Sequence, residues 1–258
     1  TSGYTSIRKH NLCYFLFFDC ECEPLMLATR QLLQTFKLFE GLEDRDLNDL
    51  CNRSQVKRYS RRSVILNARQ DHNQVCLLFE GRLQGIDFTI DGKEVGLYFV
   101  EPGDYCGELS VFDHGPQPEH VIALNSAVVI LIDAETIRNV AVRHPQVMLK
   151  LGTKLTSRIR QMTSQRSLLS VHSIPQRVCN QVWMLIRENR LKDSKSVSIV
   201  NLPTHMEIAI MLNLSRETVT RVFQQLQRRK LVSRKGPNEL LIHDVSTFKA
   251  IAEGLKKI

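Results

Sequence analysis

No stretch of this sequence is apolar for long enough to cross a bilayer. The longest apolar run near its start, Leu12–Phe18, falls far short of the roughly 20 residues a membrane helix needs. It also lacks the cleavage pattern of a secretory leader. Cysteine is too scattered to form a disulfide framework: seven residues, an odd number, at Cys13, Cys20, Cys22, Cys51, Cys76, Cys106 and Cys179. Phosphate-binding P-loops, nucleophile motifs and closely spaced metal ligands are also missing. An enzyme using Cys106 with a nearby histidine is the weak alternative, because Cys106 occupies a strand turn. Charge imbalance is absent from the first 170 residues, which hold 20 Lys+Arg against 20 Asp+Glu. These absences predict a cytoplasmic non-enzyme in a reducing compartment, without a membrane partner.

Residues 171–258 differ, with 15 Lys+Arg against 7 Asp+Glu, so they carry the whole excess of +8. A neutral region joined to a basic one predicts a polyanion partner for the second alone. At 258 residues and 43% hydrophobic content the chain can bury one or two sizeable cores.

The basic third contains the most informative stretch, Leu202 to Lys235. Thr204 and Glu207 form a capping-box pattern, and Ile208, Ala209 and Leu212 give the following helix an apolar face. Asn213 breaks the pattern and tolerates a left-handed turn. Ser215 can cap a second helix, in which Val219, Val222, Phe223 and Leu226 form one stripe. Arg216, Glu217, Thr220 and Arg221 lie off that stripe near the N-terminus. Such a separation is what a DNA-binding helix–turn–helix requires: one face packs while the other enters the major groove. Arginine can make a bidentate pair with guanine, and glutamate can accept from cytosine. Beyond it, Leu231–Lys235 and Glu239–Ile242 flank Gly236-Pro237-Asn238 as a hairpin wing, which places Arg234 and Lys235 to meet phosphates.

Ser215-Arg216-Glu217-Thr218-Val219-x-Arg221 resembles the recognition helix of the catabolite activator (Crp/Fnr) family, and the resemblance runs from about residue 27 to 242. It implies an α+β chain: a cyclic-nucleotide-binding-type jelly roll (double-stranded β-helix), a long dimerisation helix and a winged helix–turn–helix. The expected divisions are 1–25, an extension of unknown role; 26–142, the effector domain; 143–170, dimerisation helix and hinge; and 171–258, the DNA-binding domain. DNA contacts are expected from Thr204, Ser215, Arg216, Glu217, Thr218, Thr220, Arg221, Arg234 and Lys235. Because Arg216, Glu217 and Arg221 match the family's readout positions, the resemblance implies a palindrome like TGTGA-N6-TCACA. Thr220 stands where the best-known member has glycine, so one base position is expected to differ. Double-stranded DNA, a second copy of the chain and RNA polymerase are the expected partners.

Between about Val56 and Asp133, short β-rich runs (Val75–Phe79, Val95–Val100, Val121–Leu124, Val128–Ile132) alternate with turn signals, as in a sandwich or barrel. Pro102-Gly103-Asp104-Tyr105-Cys106-Gly107-Glu108-Leu109 is similar to the family's phosphate-binding cassette. Cyclic-nucleotide-binding members follow it with an Arg-Ser pair, where this chain reads Gln117-Pro118-Glu119-His120. The phosphate clamp is therefore missing, and Glu119 would repel a phosphate. Thr163-Ser164 matches the pair that cyclic-AMP members place for the purine. The expected pocket thus draws on Gly107, Glu108, Leu109, His120, Thr163 and Ser164, with cyclic AMP disfavoured against another effector or none. Iron–sulfur members cluster N-terminal cysteines, but Cys13, Cys20 and Cys22 do not match their spacing; His114, His120 and His144 show no ligand spacing for haem or a metal. A cyclic-nucleotide-binding module acting on protein partners is the alternative function. Helical patterns return at Ala134–Val142 and Pro145–Leu169. In the latter, Val147, Leu151, Leu155, Ile159 and Met162 form a stripe that either covers the jelly roll or, as the resemblance implies, pairs two protomers.

Overall fold

The computed structural model describes residues 27–70, 73–113, 115–186, 196–236 and 239–257. The expectations placed on Cys13, Cys20, Cys22 and His114 lie outside these residues. Two short helices, α1 (Arg30–Gln34) and α2 (Asp44–Asn52), precede eight strands. These are β1 (Ser54–Tyr59), β2 (Val64–Leu66), β3 (Gln74–Glu80), β4 (Leu83–Phe88), β5 (Glu94–Val100), β6 (Tyr105–Cys106), β7 (His120–Ala123) and β8 (Ala127–Asp133). One sheet runs β1-β8-β3-β6 and the facing one β2-β7-β4-β5, with antiparallel pairing throughout.

The two-residue period of a strand decides which core each side chain joins. In β3, Val75 and Leu77 face a helical layer built on Phe36, Phe39, Leu47 and Leu50, while Cys76 and Leu78 face the interior of the roll. In β8, Ile130 and Ile132 likewise go one way, and Val129 and Leu131 the other. A short helix α3 (Leu109–Asp113) follows β6; α4 (Ala134–Arg143) and the 25-residue α5 (Pro145–Leu169) follow the last strand. Asp46 of α2 fastens this corner, accepting from Arg143 at 2.6 Å and lying 2.7 Å from His144 Nε2.

The α5 stripe needs a correction. Val147 and Leu151 are fully buried in the chain's own helical layer, together with Ile137 and Val140 of α4, so neither can meet a second protomer. Leu155 is half-buried, while Ile159 and Met162 remain 63% and 49% exposed, as does Leu149 at 72%. The stripe is divided along the helix axis: its first turns close the jelly roll, and the arc formed by its later turns stays open.

The C-terminal unit holds α6 (Ile174–Trp183), β9 (Val197–Val200), α7 (His205–Leu212), α8 (Arg216–Arg228), β10 (Val232–Arg234), β11 (Glu239–Ile242) and α9 (Val245–Ala252). Ser173 caps α6 and Pro175 lies in its first turn. The wing strands β10 and β11 pair, and β9 extends them into a three-stranded sheet. Phe248 and Ile251 of α9 complete a core with Val178, Val182, Leu212 and Phe223, which gives the last helix a packing role. The two units touch where α7 lies on β5. There the buried Gln165 of α5 donates to Gly96 O and Met211 O, both at 3.1 Å. A Cβ at Gly96 would come within 3.2 Å of Met211 Cα and 2.6 Å of both its sulfur and Gln84 Nε2, so a side chain there would have to push these neighbours aside.

Candidate nucleic-acid interface and effector pocket

Local chemistry sets where α7 and α8 begin and where the chain turns between them. Thr204 accepts from Glu207 N at 3.3 Å, and Glu207 returns a bond to Thr204 N at 2.9 Å, closing a capping box. Asn213 takes up the left-handed conformation (φ 51°, ψ 50°) at the turn. Ser215 Oγ accepts from Thr218 N at 3.2 Å and starts α8. Val219, Val222, Phe223 and Leu226 then bury one side of α8 on Ile208, Ala209 and Leu212. Arg216, Glu217 and Arg221 stand exposed on the other side, with Thr218 and Thr220 half-buried between them. Arg221 donates to Thr218 Oγ1 at 3.2 Å, which steadies its stem. Arg234 and Lys235 are exposed on the wing.

One residue of this face was not expected. His205, the first residue of α7, lies 2.8 Å from Thr220 Oγ1 through Nδ1 and 2.7 Å from Arg234 through Nε2. Its ring stacks on Phe223 with centroids 4.6 Å apart. Burial, then the charges of Arg234 and Arg216, pull its pKa below the ordinary histidine value. A histidine beside a capping threonine carries no sequence signal for such a junction; only the fold brings wing, α7 and α8 to it.

The effector-side residues are distributed differently from expectation. Gly107 has φ 82°, and a Cβ there would meet Gln74 O at 2.5 Å, so the cassette turn admits only glycine. It delivers Glu108 fully buried into the roll; neither carboxylate oxygen has a hydrogen-bond partner. Leu109 is half-buried at the start of α3. Thr163 and Ser164 are exposed on α5, and the Thr163 hydroxyl donates to Ile159 O at 2.9 Å, so within one chain they do not join the cassette. The α5 residue that does is Arg158. Its guanidinium lies 3.2 Å from Glu108 Oε1 and 3.9 Å from Glu119 Oε1, and stacks on the Tyr98 ring at 3.7 Å.

Arg158 thus brings a full positive charge that the expected pocket did not include. No spacing rule links residue 158 to the cassette 50 positions earlier, so no local pattern pointed to it. Glu119 also accepts from the Tyr98 hydroxyl and, at 2.9 Å, from Gln117 Nε2. Burial raises the Glu108 carboxyl above the usual range, and Arg158 draws it part of the way back. Burial likewise pushes the Tyr98 hydroxyl well up.

Two of the histidines weighed as metal ligands have other partners. His120 accepts from Ala68 N at 3.2 Å and meets Phe88 edge-on, and His144 binds Asp46. Among the described residues no group of three or more His, Cys, Asp or Glu could hold a metal ion. Cys106 is fully buried against Cys76, and the hydrogen bond from Cys76 together with burial pushes its thiol well up, the reverse of activation. No helix among the described residues is long and apolar enough to cross a membrane.

Comparison with known proteins bears on both halves of the chain. Residues 56–144 match the cyclic nucleotide-binding domain, and residues 176–251 match the Crp-like helix-turn-helix domain. The chain is 22% identical over 211 residues to the CRP-like cAMP-activated global transcriptional regulator of Mycobacterium tuberculosis, which covers 82% of this chain and 94% of that protein. It is 25% identical over 218 residues to the cyclic AMP receptor protein of Thermus thermophilus, covering 84% and 97%. In fold it is similar to a CooA variant from Carboxydothermus hydrogenoformans, with a TM-score of 0.69, 18% identity, and coverage of 88% and 97%.

Proposed function

Because the chain belongs to the Crp/Fnr family of DNA-binding transcription regulators, we propose that it acts in the cytoplasm as a homodimer reading a palindrome like TGTGA-N6-TCACA. The observation that carries this reading is the division of α8, with an apolar stripe buried on α7 and Arg216, Glu217 and Arg221 left in solvent. Thr204, Ser215, Thr218, Thr220, Arg234 and Lys235 complete the proposed contact face. Residues 26–142 are assigned to the effector unit, 143–170 to the dimerisation helix and hinge, and 171–258 to DNA binding. Pairing of protomers would use the open arc of α5, through Leu155, Ile159 and Met162 with Leu149 added. RNA polymerase is the expected protein partner.

Cyclic AMP is not the effector we favour. Two buried carboxylates, Glu108 and Glu119, already surround the one guanidinium of Arg158, so no surplus positive charge is left for a phosphate. DNA binding is therefore constitutive or controlled by a different signal. The test is a fluorescence-anisotropy titration of the palindromic duplex against a scrambled one at about 150 mM salt, with and without cyclic AMP. Specific binding without nucleotide is expected. Binding only with cyclic AMP would overturn the pocket argument, and equal binding to both duplexes would overturn the half-site.

A further inference from the structure

We propose that His205 is a specificity-determining residue: by holding the Thr220 hydroxyl, it makes that position of α8 a reader of the thymine methyl group. This rests on the placement of α8 in the major groove proposed above.

The hydrogens in this cluster have only one consistent arrangement. Arginine has donors and no acceptor, so His205 Nε2, 2.7 Å from Arg234, must accept. The ring is then neutral, and its single N–H is on Nδ1. Nδ1 lies 2.8 Å from Thr220 Oγ1 and donates to it. Thr220 Oγ1 in turn lies 2.9 Å from Arg216 O, a carbonyl that can only accept, so the hydroxyl hydrogen goes there. The stack on Phe223, 14° from parallel, fixes the plane of the imidazole. Burial and the neighbouring Arg234 and Arg216 charges favour the same neutral ring.

The consequence for recognition is chemical. A free threonine hydroxyl can donate to guanine O6 or N7, to thymine O4 or to adenine N7, or accept from adenine or cytosine amines, and so discriminates poorly. Here the only hydrogen is committed to the backbone of α8 and one acceptor site is committed to His205. A threonine in a helix otherwise divides between two rotamers, and the double engagement of Oγ1 holds it in one. What the side chain has left is one Oγ1 lone pair, which can accept only from an amine, and its methyl group, which is all it can offer to a base edge without an amine. In the major groove the apolar feature is the 5-methyl of thymine. Thr220 lies one turn after Arg216 and next to Arg221, within the polar face of α8.

The test uses the full chain. Binding sequences are first selected from a random duplex library, and each thymine of the recovered half-site is then replaced by deoxyuridine, which removes only the 5-methyl. At one thymine per half-site the unmodified protein should lose about fourfold in affinity, the usual effect of one buried methyl-sized group, and roughly 15-fold when both half-sites are changed. T220S keeps the hydroxyl and should abolish the deoxyuridine penalty, while T220V keeps a methyl and should retain it. H205A should reduce the penalty to less than about twofold and admit other bases at that position in a repeat selection, because Oγ1 regains the acceptor site held by His205 and the side chain regains its second rotamer. A recovered site with no deoxyuridine-sensitive thymine, or an unchanged penalty in H205A, overturns the assignment while leaving the major-groove reading in place. Recovery of no preferred sequence removes both.

Discussion

Arg158 in the jelly roll is 10% exposed and is surrounded by Glu108, Glu119 and the face of Tyr98, all supplied by the same chain. Arg216 of α8 stands in solvent, on a helix whose own caps and buried stripe hold it in place. The two arginines show two ways of paying for a fixed guanidinium. Inside the roll, desolvation is offset by internal partners, and the group has little capacity left for anything else. On α8 the cation keeps its hydration and its donor fork until a matching surface arrives. The effector half is thus electrostatically closed and the DNA half electrostatically open, although both descend from helices that the sequence pattern locates equally well.

The sharpest way to break this contrast is to remove the inner arginine. Arg158→Met leaves Glu108 and Glu119 buried without a counter-charge and should destabilise the chain by about 3–5 kcal/mol. Adding Glu108→Gln should recover much of that loss. Urea denaturation of the single and double variants measures both. If the single variant is as stable as the parent, the pair is solvated and the pocket is not closed. On the outer side, Arg216→Ala should leave the denaturation midpoint unchanged and weaken specific DNA binding by about 1–3 kcal/mol, with relaxed preference at one base position. Equal weakening on all sequences would instead make Arg216 a phosphate contact.

The smallest expected effect sharpens the comparison at its boundary, since His205 is a half-buried group on the open side. Its pKa is lowered in the fold, so as the pH falls below about 6.5 the unfolded chain takes up a proton that the folded one resists. Stability should therefore decline on acidification through that window and be flat above it. The groups facing the ring are Arg234 of the wing, Thr220 and Phe223 of α8, and the nearby charge of Arg216. His205→Gln should flatten this part of the profile, measured as denaturation midpoints between about pH 5.5 and 8.

What the sequence made legible was what depends on near neighbours. The capping box at Thr204 and Glu207, the left-handed Asn213, the Ser215 cap and the α5 span 145–169 all rest on interactions within a few residues, and each was expected where it is found. Short or irregular strands such as β2 and β6 carry too few residues for a period to register. Contacts between distant positions were not legible at all. Arg158 reaches Glu108 across 50 positions, and Arg234 reaches His205 across 29. Periodicity also cannot say which partner covers an apolar stripe, which is why Val147 and Leu151 looked equivalent to Ile159 although only the latter remains open.

The side-chain amide of Gln165 has a mechanical consequence. Its one nitrogen bridges the backbone of β5 and the backbone of α7, so one side chain near the end of α5 fastens the two units to each other. A helix turns by about 100° and advances about 1.5 Å for each residue. Any slide or roll of α5 large enough to matter would therefore pull that nitrogen from both carbonyls together, while Gly96 leaves no side-chain padding to absorb part of the displacement. The coupling between the halves should then resemble a detent, which holds its position under small loads and releases in one step, more than a spring that yields in proportion.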